Sequence, residues 1–144
     1  MKKNIKVYVL LILTTLLVVS GCGKKYSETE YKEDALFLND SMTKVEKEFI
    51  DLLGSSDEKT CKEWVSTVRN NMVDNTKTDL GANLVNKSFD MYQVMLEEFI
   101  DRDLVGDPFN AQKYLQEISN EKNVIKTNEK LEEAKNKLKE SAGY

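Results

Sequence analysis

Residues 27–54, SETEYKEDALFLNDSMTKVEKEFIDLLG, decide the fold. Ser27-Glu28-Thr29-Glu30 has the form of a capping box, in which a hydroxyl accepts from an unpaired amide of the first turn and a carboxylate three residues on returns the bond. A helix is expected to begin there. Tyr31, Ala35, Leu38, Met42, Val45, Phe49 and Leu52 then recur in alternating steps of four and three, placing one apolar seam along a single helical face. Leu36, Phe37, Ile50 and Leu53 widen that seam beyond a narrow zipper, which favours a bundle over a two-stranded coiled coil. Gly54 is the expected stop.

The same pattern recurs along the chain. Ser55-Ser56-Asp57-Glu58 repeats the capping logic, and Cys61, Trp64, Val65, Val68 and Met72 give a second helix over 57–73. The polar run Asp74 to Asp79 predicts a loop or kink, with a helix continuous through it as the alternative. Leu80, Leu84, Val85, Phe89, Tyr92, Met95, Leu96, Phe99 and Ile100 restore the helical period in a third helix ending near Leu104. Gly106-Asp107-Pro108 then reads as a break, a cap and a proline at the first helical position, where its missing amide costs nothing. A fourth helix is expected from Pro108 towards Ser141. Its apolar stripe (Ala111, Leu115, Ile118, Ile125, Leu131, Ala134, Leu138) thins among lysines and glutamates, so its last two turns are expected to be exposed and frayed. Glu133 and Lys137 have the favourable order for a surface pair. With no strand-like alternation, the expected fold is all-α, a small bundle of about four helices.

The N-terminus carries a different signal. Residues 1–6, MKKNIK, are basic, and Val7 to Val19 form an apolar run of 13 residues, the layout of a secretory leader. At about 1.5 Å per residue the run spans roughly 20 Å, short of the roughly 30 Å hydrocarbon core. The residues Val19-Ser20-Gly21-Cys22 that follow resemble the lipobox of bacterial lipoproteins: an aliphatic residue, two small ones and a cysteine. The resemblance implies cleavage between Gly21 and Cys22 and a diacylglyceryl group on the Cys22 thiol, and two acyl chains hold a protein at a membrane where one is marginal. It divides the chain into a leader (1–21), a lipidated tether (22–26) and a helical domain (27–144). The alternative is ordinary secretion with a coincidental cysteine. The implied location is the extracytoplasmic face of the cell membrane. Gly23, in place of the aspartate associated with inner-membrane retention, would send it to the outer membrane of a Gram-negative host. Abundant Lys and Asn with one Pro and no His hint at an AT-rich, Gram-positive source.

Composition narrows the chemistry. The chain has 21 basic and 25 acidic side chains, and loss of Lys2, Lys3 and Lys6 with the leader makes the remainder more acidic. Such a domain is repelled by nucleic acid and anionic lipid. Without histidine, Ser/His catalysis and imidazole ligation of a metal are out of reach. With Cys22 lipidated, Cys61 has no partner for a disulfide and reads as a small apolar core residue. Glu46, Glu48, Glu97, Glu98, Glu132 and Glu133 read as solvated helix surface. In Asp101-Arg102-Asp103-Leu104-Val105-Gly106-Asp107, three positions match a calcium loop, but Val105 and Gln112 stand where ligands belong and Pro108 starts a helix inside it, so a helix end is expected instead. Phosphate cradles and CxxC pairs are also missing. The sequence therefore points to a non-enzymatic interaction or structural module without cofactor or metal. It would be held at the membrane through Cys22 and directed at another envelope protein, for instance in exclusion, immunity or envelope assembly. The alternative is a carrier for a small apolar ligand, with Trp64, Phe89, Tyr92, Met95 and Phe99 between the second and third helices as lining, against a default of core packing for these residues. A lesser possibility is that the released leader peptide, ending Leu17-Val18-Val19-Ser20-Gly21, is itself the product.

Overall fold

The computed structural model describes residues 26–107 and 111–144. The expected leader, Gly21 and Cys22 at the expected cleavage site, and all of the expected tether but Tyr26 lie outside the described residues. Among the described residues the chain is all-α. It forms five helices: α1 (Glu28–Ser55), α2 (Glu58–Asp74), α3 (Asp79–Asp101), α4 (Ala111–Ile118) and α5 (Lys122–Ser141).

The first two caps fall in the stretches that the sequence marks, and the third falls at Thr78, which the sequence reading does not single out. Ser27 and Glu30 form the reciprocal box, with Glu30 N donating to Ser27 Oγ at 3.3 Å and Ser27 N donating to Glu30 Oε2 at 2.7 Å. Asp57 accepts from Thr60 N at 2.7 Å at the start of α2, and Thr78 Oγ1 accepts from Gly81 N at 3.0 Å at the start of α3. The run at 74–79 does break the helix. Gly54 sits one residue inside α1, which closes when the Ser56 amide donates to the Leu52 carbonyl.

Three expectations need correcting. The third helix ends at Asp101, before Leu104, because Asp103 takes a left-handed conformation (φ 54°) and the Leu104 amide turns back to the Phe99 carbonyl at 2.9 Å. The expected fourth helix is two helices. Ile118 and Val124 are both buried, although six residues in a straight helix would put them about 120° apart, and the break between the two helices turns both to the core. Ser119 Oγ and Asn120 Nδ2 make that bend by donating to the Gln116 carbonyl, competing with the helical ladder. The last turns of α5 are not frayed. Ala134, Leu138 and Ala142, spaced by four, are all buried, and Gly143 (φ 76°) lets the Tyr144 amide cap the Lys139 carbonyl at 3.1 Å.

Helix α3 is the axis of the packing, with α1, α2 and α5 laid around it. Asp34 meets Thr78 at one end and Phe49 meets Tyr92 further along (ring centroids 4.7 Å), so α1 and α3 run in the same direction. Helix α5 runs against both, since Glu121 pairs with Arg102 at the end of α3 while Gly143 lies against Glu28 at the start of α1. Phe49, Leu53, Phe89, Leu96, Phe99, Ile118 and Leu138 are the large side chains sealed inside. Of the α1 seam, Leu38, Val45 and Phe49 are buried and Tyr31, Ala35, Met42 and Leu52 are half-buried against the core. Leu36 does not join it and is 58% exposed, on a flank of α1 that no partner helix covers. Cys61 is sealed between α1 and α2 with its Sγ 3.7 Å from the Leu52 carbonyl, and burial pushes its thiol pKa up.

One buried carboxylate fixes the helix order. Asp34 falls on the apolar face of α1, one turn from both Tyr31 and Leu38, and is 1% exposed. Its Oδ1 accepts from Lys77 N at 2.8 Å, and its Oδ2 accepts from Thr78 N at 2.8 Å and Thr78 Oγ1 at 2.6 Å. It thus satisfies the α2–α3 turn, whose amides would otherwise be buried unpaired. Gly81 completes the joint, because a Cβ there would overlap the Asp34 carboxylate. Replacing Asp34 by Ala is expected to cost about 3 kcal/mol in urea unfolding, since charge-assisted bonds are lost and buried donors stranded. Gly81→Ala should also destabilise the native protein, yet cost much less once Asp34 is already Ala; additive losses would show that the two residues do not meet. A second check is the Cys61 thiol, which should resist a soluble disulfide reagent in the native protein and react at once in denaturant.

Candidate binding groove

The packing leaves a groove of about 780 Å³ where α1 and α5 flank α3. Its floor is the α3 face carrying Leu84, Ser88, Met91, Tyr92 and Met95. Helix α1 supplies Ala35, Leu38 and Met42 as one wall, and α5 supplies Val124, Ile125, Leu131 and Leu138 as the other. Local rules place these residues: positions 35, 38 and 42 belong to the α1 seam, while 84, 88, 91, 92 and 95 repeat along one face of α3. Ser88 adds no free donor, because its hydroxyl donates to the Leu84 carbonyl at 2.9 Å. The interior is therefore apolar and methionine-rich, a surface that adapts its shape to what it covers.

The rim is polar and unequal in charge. Because α1 and α5 run in opposite directions, Ala35 and Leu38 share one end with Lys135, Leu138 and Lys139, whereas Glu46 shares the other with Asn128 and Glu129. One end is basic and the other acidic. Lys135 also pairs with Glu132 at 2.7 Å, while Lys139 makes no ion pair among the described residues. Tyr92 lies in the floor, and burial together with the nearby Glu46 charge holds its phenol well above the ordinary tyrosine range. A smaller cleft between α3 and α5, lined by Glu97, Glu98, Asp101, Lys126 and Lys130, is mainly polar.

The residues singled out from sequence separate into distinct places. Trp64 and Phe89 pack between α2 and α3, with Trp64 stacked on Phe49 at 6.0 Å and 6.2 Å from Phe89, so the space between those helices is filled. Phe99 is sealed in the core. Tyr92 and Met95 do line an opening, but with α1 and α5 as its walls. Glu48, Glu97, Glu132 and Glu133 are exposed, Glu98 is half-buried beside Arg102, and Glu133 pairs with Lys137 at 2.7 Å. Glu46, exposed as expected, stands on the groove rim. The Asp101–Asp107 segment closes α3 and docks on α1, with Gly106 N donating to the Leu53 carbonyl at 2.8 Å and Val105 packed against the core. Among the described residues no helix is long and apolar enough to cross a membrane.

Two features were not foreseen, the Asp34 joint and the groove itself. The first had a signal, an acid on the apolar face of α1. The second had only a weak one, since Met42, Met91 and Met95 lie far apart in sequence and meet only when the helices pack. Comparison with family models, curated proteins and solved structures finds no match to this chain.

The raised Tyr92 pKa has a measurable consequence. A phenol that resists ionisation when folded contributes stability fully below the unfolded value of about 10 and loses it as pH rises above that value. Tyr92→Phe should therefore flatten the fall in unfolding free energy above about pH 10 while leaving neutral stability nearly unchanged. An unchanged alkaline slope would place the phenol in ordinary solvent.

Proposed function

We propose that this chain is an extracytoplasmic lipoprotein, cleaved before Cys22 and held at the cell membrane by lipid on that thiol, that acts as a non-enzymatic binding module of the envelope. The lipobox-like Val19-Ser20-Gly21-Cys22 supports the anchor. A single observation carries the binding role: the bundle displays a half-open apolar groove with a polar rim, at a size in the roughly 300–1,000 Å³ range of small-molecule sites. Tyr26 lies four residues from Cys22, so the tether is short, and confinement at a surface raises the effective concentration of such a module towards membrane-held partners. In its broad form the reading covers contact with another envelope protein in exclusion, immunity or assembly. The groove favours the narrower second reading, binding of a small apolar ligand between helices.

The anchor is tested by Cys22→Ala. The variant should leave the membrane fraction or accumulate as the uncleaved precursor, and it should lose fatty-acid labelling. Intact mass of the native protein should begin at residue 22 and carry acyl mass. Undiminished labelling of the variant, or a mature terminus elsewhere, would falsify lipidation at this site.

A further inference from the structure

We infer that the groove between α1 and α5 takes one long-chain fatty acid, its tail along the Met42, Met91, Met95 and Leu131 surface and its carboxylate at Lys135 and Lys139. The inference rests on the apolar-ligand reading of the groove and adds the class of ligand and its direction.

The length of the groove matches one acyl tail. On α1 the lining runs from Ala35 to Glu46, which at about 1.5 Å per residue gives a groove roughly 16 Å long. One leaflet of a hydrocarbon core about 30 Å thick is about 15 Å, the length of a single acyl tail. A flexible tail matches both the length and the methionine-rich surface.

Charge sets the direction. A carboxylate is repelled by Glu46 and Glu129 at one end and attracted by Lys135 and Lys139 at the other. The lysine end is also the end where Gly143 meets Glu28, beside Tyr26 and the start of the chain leading back to Cys22. On the anchored reading the ligand's head group lies at the side from which a fatty acid leaves the bilayer. The tail then points away from the membrane, into the apolar floor.

The test uses full-length protein in isolated membranes and two photoreactive probes of equal chain length, a diazirine analogue of palmitate and the corresponding fatty alcohol. After irradiation the crosslinked peptides are mapped. Palmitate label is expected on 84–95 and 124–139, suppressed by excess unmodified palmitate and abolished for both probes by Met95→Trp, which fills the groove. Lys135→Glu combined with Lys139→Glu, both at the surface, should lower palmitate labelling about fivefold or more while leaving alcohol labelling unchanged. Equal labelling by both probes, insensitive to the lysine changes, would overturn the fatty-acid assignment while the apolar-ligand reading stands. Absence of competable label from either probe would overturn both, as would chain-to-chain crosslinks through these peptides in place of probe, which would give the groove to a second copy.

Discussion

A carboxylate on the apolar face of a helix must find donors or unfold its surroundings. Asp34 finds them in the turn between α2 and α3, where two amides and a hydroxyl converge on it. The bond is directional, unlike the apolar contacts that dominate the core, so it does more than add to the stabilisation. It sets the start of α3 against the first turns of α1 and permits only a glycine at the crossing. A bundle held by apolar seams alone could slide by a turn at little cost, because one leucine resembles the next. A buried charge with three partners has one register.

The remaining architecture follows from that register. With α1 and α3 locked side by side in one direction, Phe49 reaches Tyr92 and the aromatic cluster with Trp64 and Phe89 fills the side of α3 that faces α2. The opposite side of α3 must then be covered by the chain after residue 107. The bend at 119–121 delivers α5 there, with Ala134, Leu138 and Ala142 buried and small side chains allowing close approach near the chain end. Further along, longer rim residues such as Glu46, Asn128 and Glu129 stand between α1 and α5, and the two walls bound a groove over a floor of methionines. The groove is thus a product of how three helices meet.

The electrostatics have a comparable division. Most ion pairs are exposed neighbours on one helix, such as Lys32 with Glu28 and Lys137 with Glu133, and contribute little to stability. Among the described residues three tie elements together, one of them Lys77 of the α2–α3 turn with Glu33 of α1 at 2.6 Å. Arg102 bridges Glu98 and Glu121 across the bend region, and Arg69 on α2 reaches Asp90 and Asn86 on α3. On the groove rim, charge decides direction instead of stability. The antiparallel course of α5 sorts its acids to one end and its lysines to the other, giving a polarity that the overall net charge conceals.

The sequence by itself determined the helical class, the Ser27 box, the starts of the second and third helices and the role of Cys61 as buried packing. These depend on interactions within a few residues, or on an apolar period that any partner would satisfy. The proposed leader and lipobox rest on short linear patterns of the same local kind, in residues 1–22. Tertiary structure alone decided the bend between Ile118 and Val124, the ordered end of α5, the exposure of Leu36 and the pairing of Asp34 with residues more than forty positions away. Each of these is set by which surface lies opposite. The groove belongs to the same class, because its lining comes from three helices distant in sequence, and no local pattern records the space left between them.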